Sequence, residues 1–130
     1  MCMTDVRPVD KEEVIGYKVV VKCDYGYLSP YMFEELSELN IECVAYSSIG
    51  YRFEENYLPA FHCYVDKDVA IKDALSWPDD LDDEYCVVKV RLRENIVIGT
   101  AYYQYNGEEE YADGYAGKRM TILEEVKINA

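Results

Sequence analysis

Apolar and polar positions alternate clearly along several stretches of this chain. Tyr17, Val19, Val21 and Cys23 alternate with Lys18, Val20 and Lys22, a period of two that predicts a half-buried strand. Ser29-Pro30 supplies a helix start, and Met32, Phe33, Leu36 and Leu39 then recur at helical spacing with Glu34, Glu35 and Glu38 on the other side. Asn40 ends that helix. Ile41, Cys43 and Ala45 read as a strand, Tyr51-Arg52-Phe53 as a short one, and Phe61, Cys63 and Val65 as the next. Asp66 caps a second helix whose apolar face is Ala70, Ile71, Ala74, Leu75 and Trp77, stopped by Pro78.

The strongest alternation follows: Cys86, Val88, Val90 and Leu92 on one side, and Val87, Lys89, Arg91 and Arg93 on the other. Glu94-Asn95 reads as a two-residue turn without the favoured second-position glycine, and the return strand runs from Ile96 to Tyr105. Asn106-Gly107 and Glu108-Glu109-Glu110 are read as opening a loop that reaches Gly117, before a last strand from Met120 to Ile128. The first dozen residues are polar and expected to be loosely held. The order predicts a single α+β domain over residues 1–130: one mixed, mostly antiparallel sheet with two short helices, in which Cys86–Tyr105 form a hairpin.

Composition narrows the function. The 130 residues carry 26 acids against 13 bases, a net charge of −13, which argues against direct binding to nucleic acid or to an anionic membrane. No apolar run reaches the length of a membrane span, and the start of the chain lacks the basic-then-apolar pattern of a signal peptide, so a cytoplasmic location is expected. The five cysteines, four of them inside apolar strand-like runs and none in a C-x-x-C pair, read as reduced, buried thiols.

Candidate chemistry is sparse. His62 is the only histidine, and its neighbour Cys63 points to the opposite side of the same strand, so the two make a poor catalytic pair. His, Cys and carboxylate groups are too dispersed for a zinc site; no metal site and no cofactor are expected. The acidic loop Asp79-Asp80-Leu81-Asp82-Asp83-Glu84 lacks the spacing and turn glycine of a calcium loop. No phosphate-cradling glycine motif and no nucleophile elbow occurs. Lys89, Arg91 and Arg93 form a basic stripe; with Lys18 and Lys22 it would make one positive sheet face, unless acids such as Glu125 pair with it across strands.

The 14 tyrosines, against three Phe and one Trp, are the other departure from ordinary usage. They cluster at Tyr102, Tyr103, Tyr105, Tyr111 and Tyr115. Some must be core, but a tyrosine offers large rigid contact area with a polar tip and is enriched at interfaces. With Glu108, Glu109 and Glu110, and with Asp79, Asp80, Asp82, Asp83 and Glu84, they form the candidate partner-binding surface.

Gly16-Tyr17-Lys18-Val19-Val20, Phe61-His62-Cys63-Tyr64 leading to Ala70, and Val87-Val88-Lys89-Val90 together resemble short domains of phage and bacterial genomes. That layout is in turn similar to a pared-down ADP-ribosyltransferase-like fold. The resemblance implies a small enzyme with Tyr17 and His62 lining a cleft, although such transferases carry Arg or His where this chain has Tyr17. They also need a late glutamate, for which Glu108, Glu110, Glu124 and Glu125 are equivalent choices. The reading favoured by charge and composition is non-enzymatic: an acidic, tyrosine-rich domain that binds a basic protein, itself a handler of nucleic acid, with carboxylates standing in for phosphates; what the resemblance adds is that such a domain would act as a phage-type inhibitor or mimic. In that case the location is the host cytoplasm. A housekeeping domain whose acidity serves only solubility is the third expectation.

Overall fold

Runs of β-branched residues account for the middle of the molecule. In the computed structural model, residues 3–24, 26–29, 36, 38–45, 60–77 and 84–128 are described. They form strands β1 (Met3–Pro8), β2 (Glu13–Cys23), β3 (Gly26–Leu28), β4 (Glu42–Val44) and β5 (Phe61–Tyr64), then helix α1 (Lys67–Ser76). Strands β6 (Glu84–Arg93), β7 (Val97–Tyr105), β8 (Glu108–Gly117) and β9 (Arg119–Val126) follow. The strands make one open sheet in the order β1-β7-β8-β5-β2-β6-β9-β4, with β3 beside the end of β2. Each pairing among the described strands is antiparallel.

The longest ladder joins β2 to β6, from Glu13↔Arg93 to Lys22↔Glu84. Val19-Val20-Val21 and Cys86-Val87-Val88 are buried residue after residue, which a strand permits only when both faces of the sheet are covered. On the far face Val14, Val20, Val88, Val90, Leu92, Met120 and Ile122 pack with Leu36, Cys43 and Phe61. On the helix face Val19, Tyr64, Val87, Ala101, Tyr103 and Ala116 pack with Ala70 and Ala74 of α1. Two small alanines let the helix approach the sheet closely.

The helix begins where the sequence places it: Asp66 has extended backbone, and its carboxylate accepts the Asp68 N–H at 2.9 Å. Its buried side also carries Asp73, which accepts a hydrogen bond from the Tyr64 hydroxyl at 2.8 Å. Just past its end, Trp77 stacks on Tyr85 with ring centres 5.1 Å apart.

Four expectations are corrected. First, there is one short helix among the described residues, not two. Within the stretch expected to form the earlier helix, Ser29, Leu36, Glu38, Leu39 and Asn40 are described and none is helical. The Leu36 N–H donates to the Tyr27 carbonyl at 2.8 Å and the Asn40 N–H to the Ile122 carbonyl at 2.8 Å, so strands take the bonds that a helix would need four residues earlier. Met32, Phe33, Glu34 and Glu35 lie outside the described residues, as do Tyr51, Arg52 and Phe53.

Second, β6 and β7 follow each other in sequence but do not pair. β6 lies between β2 and β9, and β7 between β1 and β8. Glu94 and Asn95, both left-handed (φ 65° and 53°), carry the chain round a corner so that Leu92 and Ile96 enter the same far-face core. The polar start of the chain is also strand, since β1 pairs along β7, and so is the segment read as a loop after Asn106-Gly107, which is β8.

Candidate functional site

Asn106 and Gly107 have φ of 53° and 77°, the doubly left-handed conformation that joins two strands through a two-residue turn. Tyr105 and Glu108 flank that turn as a cross-strand pair, and the register runs unbroken to Val97↔Ala116. Alternation then divides the tyrosines between two faces. Ala101, Tyr103 and Tyr105 turn toward α1: Tyr103 is only 7% exposed and meets the Tyr64 ring edge-on, and the Lys72 ammonium lies 5.6 Å from the Tyr105 ring centre. These two rings belong to the core. Tyr115, farther along β8, is half-buried and packs against the far-face core.

The opposite face carries Tyr102, Gln104, Glu109, Tyr111 and Asp113, all exposed. Tyr102 and Tyr111 are direct cross-strand partners, 51% and 65% exposed. Side chains so paired stand about 5 Å apart at Cβ, so the two rings form one apolar step on a polar ribbon. A hydrogen bond to the Glu109 carboxylate, with that group's negative charge, raises the Tyr111 phenol above its ordinary value. Glu108 and Glu110 project from the other face, also exposed. No lysine or arginine occurs from Glu94 to Gly117, so the acids of β8 (Glu108, Glu109, Glu110 and Asp113) are offset by no base within β7, β8 or their turn. Gln104 and Asp113 were not singled out from the sequence; reading Asn106-Gly107 as a hairpin turn would have placed them beside the tyrosines. Glu84 opens β6 opposite Lys22, away from this ribbon. Asp79, Asp80, Asp82 and Asp83 lie outside the described residues.

The basic residues do not gather on one face. β2 and β6 are neighbours, but Lys18 and Lys22 stand opposite Val88 and Glu84, while Lys89 and Arg91 stand opposite Tyr17 and Ile15 on the other face. Acids pair with several of them: Lys22 with Glu125 at 3.3 Å, Arg93 with Glu42 at 3.5 Å, and Arg119 with Glu42 and Glu94 at 3.5 and 2.7 Å. Arg91 differs, since its Nε is buried with no acceptor among the described residues, directly across the ladder from Thr121, whose hydroxyl is also buried without a partner among them.

Tyr17 and His62, the pair implied by the enzyme resemblance, do share the helix face: Tyr17 is opposite Tyr64, and His62 is two residues before Tyr64 on the same strand. The chemistry there is subdued. Burial, aided by the Lys18 charge, depresses the His62 imidazole to about 3, so the ring is neutral at physiological pH. Lys18 donates to the His62 carbonyl at 2.7 Å, and burial lowers its own amine below the ordinary lysine value. Cys63 is fully buried on the far face with its thiol pushed up to about 12, which leaves almost no nucleophilic thiolate. Among the described residues no group of three or more His, Cys, Asp or Glu is placed to hold a metal ion. No helix among them is long and apolar enough to cross a membrane. Comparisons with protein-family models, with curated proteins and with solved structures find no match for this chain.

Proposed function

We propose that this chain is a binding protein whose β7–β8 hairpin takes up a basic protein. The observation that carries the reading is the exposed Tyr102–Tyr111 pair on a ribbon with acids and no base. A pair of aromatic rings held outward on a regular ladder buries a few hundred Å2 when a partner covers it, at small cost in side-chain entropy. The surrounding carboxylates attract cations over about 8 Å at physiological ionic strength and so steer a basic surface onto those rings. Carboxylates in a row also occupy a groove made for phosphates, so a partner that handles nucleic acid would be competed for by it.

The test is a capture experiment with wild-type protein and a Tyr102→Ser/Tyr111→Ser variant, graded by salt. The proteins retained by wild type should be basic, should elute as salt rises, and should be lost with the variant by roughly tenfold or more, the scale of a small aromatic hot spot. Retention that ignores salt, or equal retention by the variant, refutes the proposal.

A further inference from the structure

Resting on that reading, we infer that the partner docks by adding an extended, lysine- or arginine-rich segment as a strand along the β5-side edge of β8, in the slot beyond the end of β5. Among the described residues no strand pairs with the rest of that edge. β8 pairs with β7 along its whole length, but β5 reaches only from Gly114 to Gly117 on the other side. The Val65 N–H, donating to the Asp113 carbonyl at 3.1 Å, is the last described bond to that edge. From Asp113 the alternation of an antiparallel ladder turns the N–H and C=O of Tyr111 and Glu109 outward, while Glu108, Glu110 and Ala112 spend theirs on β7. Four main-chain hydrogen-bonding groups therefore face the unpaired side of a strand whose register with β7 is regular.

Proteins usually guard such an edge with lysine, proline or a bulge. The stretch Glu108-Glu109-Glu110-Tyr111-Ala112-Asp113 has none of these; its register with β7 shows no shift. It is guarded by carboxylates alone. That protection is selective: two copies of this chain laid edge to edge would oppose glutamate to glutamate, whereas a basic strand would set its cations beside Glu108, Glu109 and Glu110. The Asp66 cap and Asp68, exposed at the start of α1 just after Val65 on either side of the exposed Lys67, leave a small net negative charge at the same end of the gap. An added strand would place one of its side chains next to Tyr111, so the charge, the main-chain bonds and the aromatic step act on one segment.

The probe is a capped hexapeptide alternating lysine and valine, compared with the same peptide methylated at every backbone nitrogen, which keeps the charge and side chains but removes the strand donors. At low salt the parent peptide should bind and slow hydrogen exchange at the Glu109 and Tyr111 amides by about tenfold or more, leaving the Glu108 and Glu110 amides little changed. The methylated peptide should bind at least about tenfold more weakly, the loss expected for two or more net hydrogen bonds. If both peptides bind equally and shift the Tyr102 and Tyr111 ring signals without protecting those amides, strand addition is overturned while the basic-partner reading stands. Failure of the parent peptide to bind at all overturns both. Protection of the same amides on raising the protein's own concentration would make a second copy the occupant and overturn the inference.

Discussion

Thr121→Val should make this protein more stable. Thr121 lies on β9 with 4% of its surface exposed, and its hydroxyl is buried without a hydrogen-bond partner among the described residues; Arg91, directly opposite, buries its Nε in the same condition. An unpaired buried hydroxyl costs roughly 1–3 kcal/mol of desolvation. Valine keeps the branched shape and the strand preference, and exchanges that hydroxyl for a methyl group in contact with the same neighbours. A gain of about 1 kcal/mol is expected, which for a domain of this length raises Tm by about 4 °C. Chemical denaturation should show the midpoint moving up with the slope unchanged. Thr121→Ser, which keeps the hydroxyl and loses the methyl, should lower stability by about 1 kcal/mol. A Val variant less stable than wild type would show that the hydroxyl has a partner in solution, and the reasoning about this site would fail.

The remaining predictions concern groups whose surroundings are equally specific. Acid should destabilise the protein through His62: its imidazole is held at about 3 against an ordinary 6.5, so the unfolded chain takes the proton first. That contribution is intact above pH 6.5 and is lost as pH falls toward 3, and His62→Gln should flatten the stability profile in this window. Asp73 acts in the opposite sense, because burial raises its carboxyl and acid relieves the cost of its charge; Asp73→Asn should remove that relief. With a thiol reagent at neutral pH, Cys63 and Cys86, both buried and pushed up to about 12, should label far more slowly than half-buried Cys23 and Cys43. Equal rates would contradict the packing described. Gly16→Ala should be strongly destabilising, by about 3 kcal/mol or more, since its Cβ would collide with Cys63 Sγ and lie 2.8 Å from the Tyr64 carbonyl oxygen. Cys63→Ala in the same chain should return part of the loss, as measured by thermal unfolding.

What could be read from the sequence was the part where side-chain polarity and burial agree. β2, β5, β6 and α1 announce themselves because each has one or two faces in a core, and Asp66 caps its helix by chemistry local to the chain. β1 escaped notice because it is an edge strand, and Thr4, Asp5, Arg7 and Pro8 can remain polar in water. β8 escaped because its buried positions are Gly114, Ala116 and Gly117, residues too small to mark an apolar face. Their smallness is itself packing: a Cβ on Gly114 would lie 2.9 Å from the sulfur of Met3 and 3.2 Å from the Cys63 carbonyl. The helical spacing of Leu36 and Leu39 misled because Leu36 gives its N–H to Tyr27, a tertiary bond that no local pattern reports. The division of the tyrosines into core and surface depended on the Asn106-Gly107 turn, whose hairpin meaning was present in the two residues themselves.

The strand order carries a consequence for how the chain is made. β2 is complete at Cys23, yet its principal partner, β6, does not start until Glu84, and β7 and β8 must still emerge before β5 is enclosed. During synthesis from the N-terminus, Val19 and Val20 therefore leave the ribosome without their β6 partners, only Val21 being met early by Leu28 of β3, and wait for most of the polypeptide to follow. The β7–β8 hairpin, closed by a two-residue turn, is a unit able to form as soon as it appears. Assembly then runs against the direction of translation, with late, local structure recruiting early, solitary strands. The carboxylates scattered through the early chain would have a second use in this interval, keeping nascent copies on neighbouring ribosomes from pairing their waiting strands with one another.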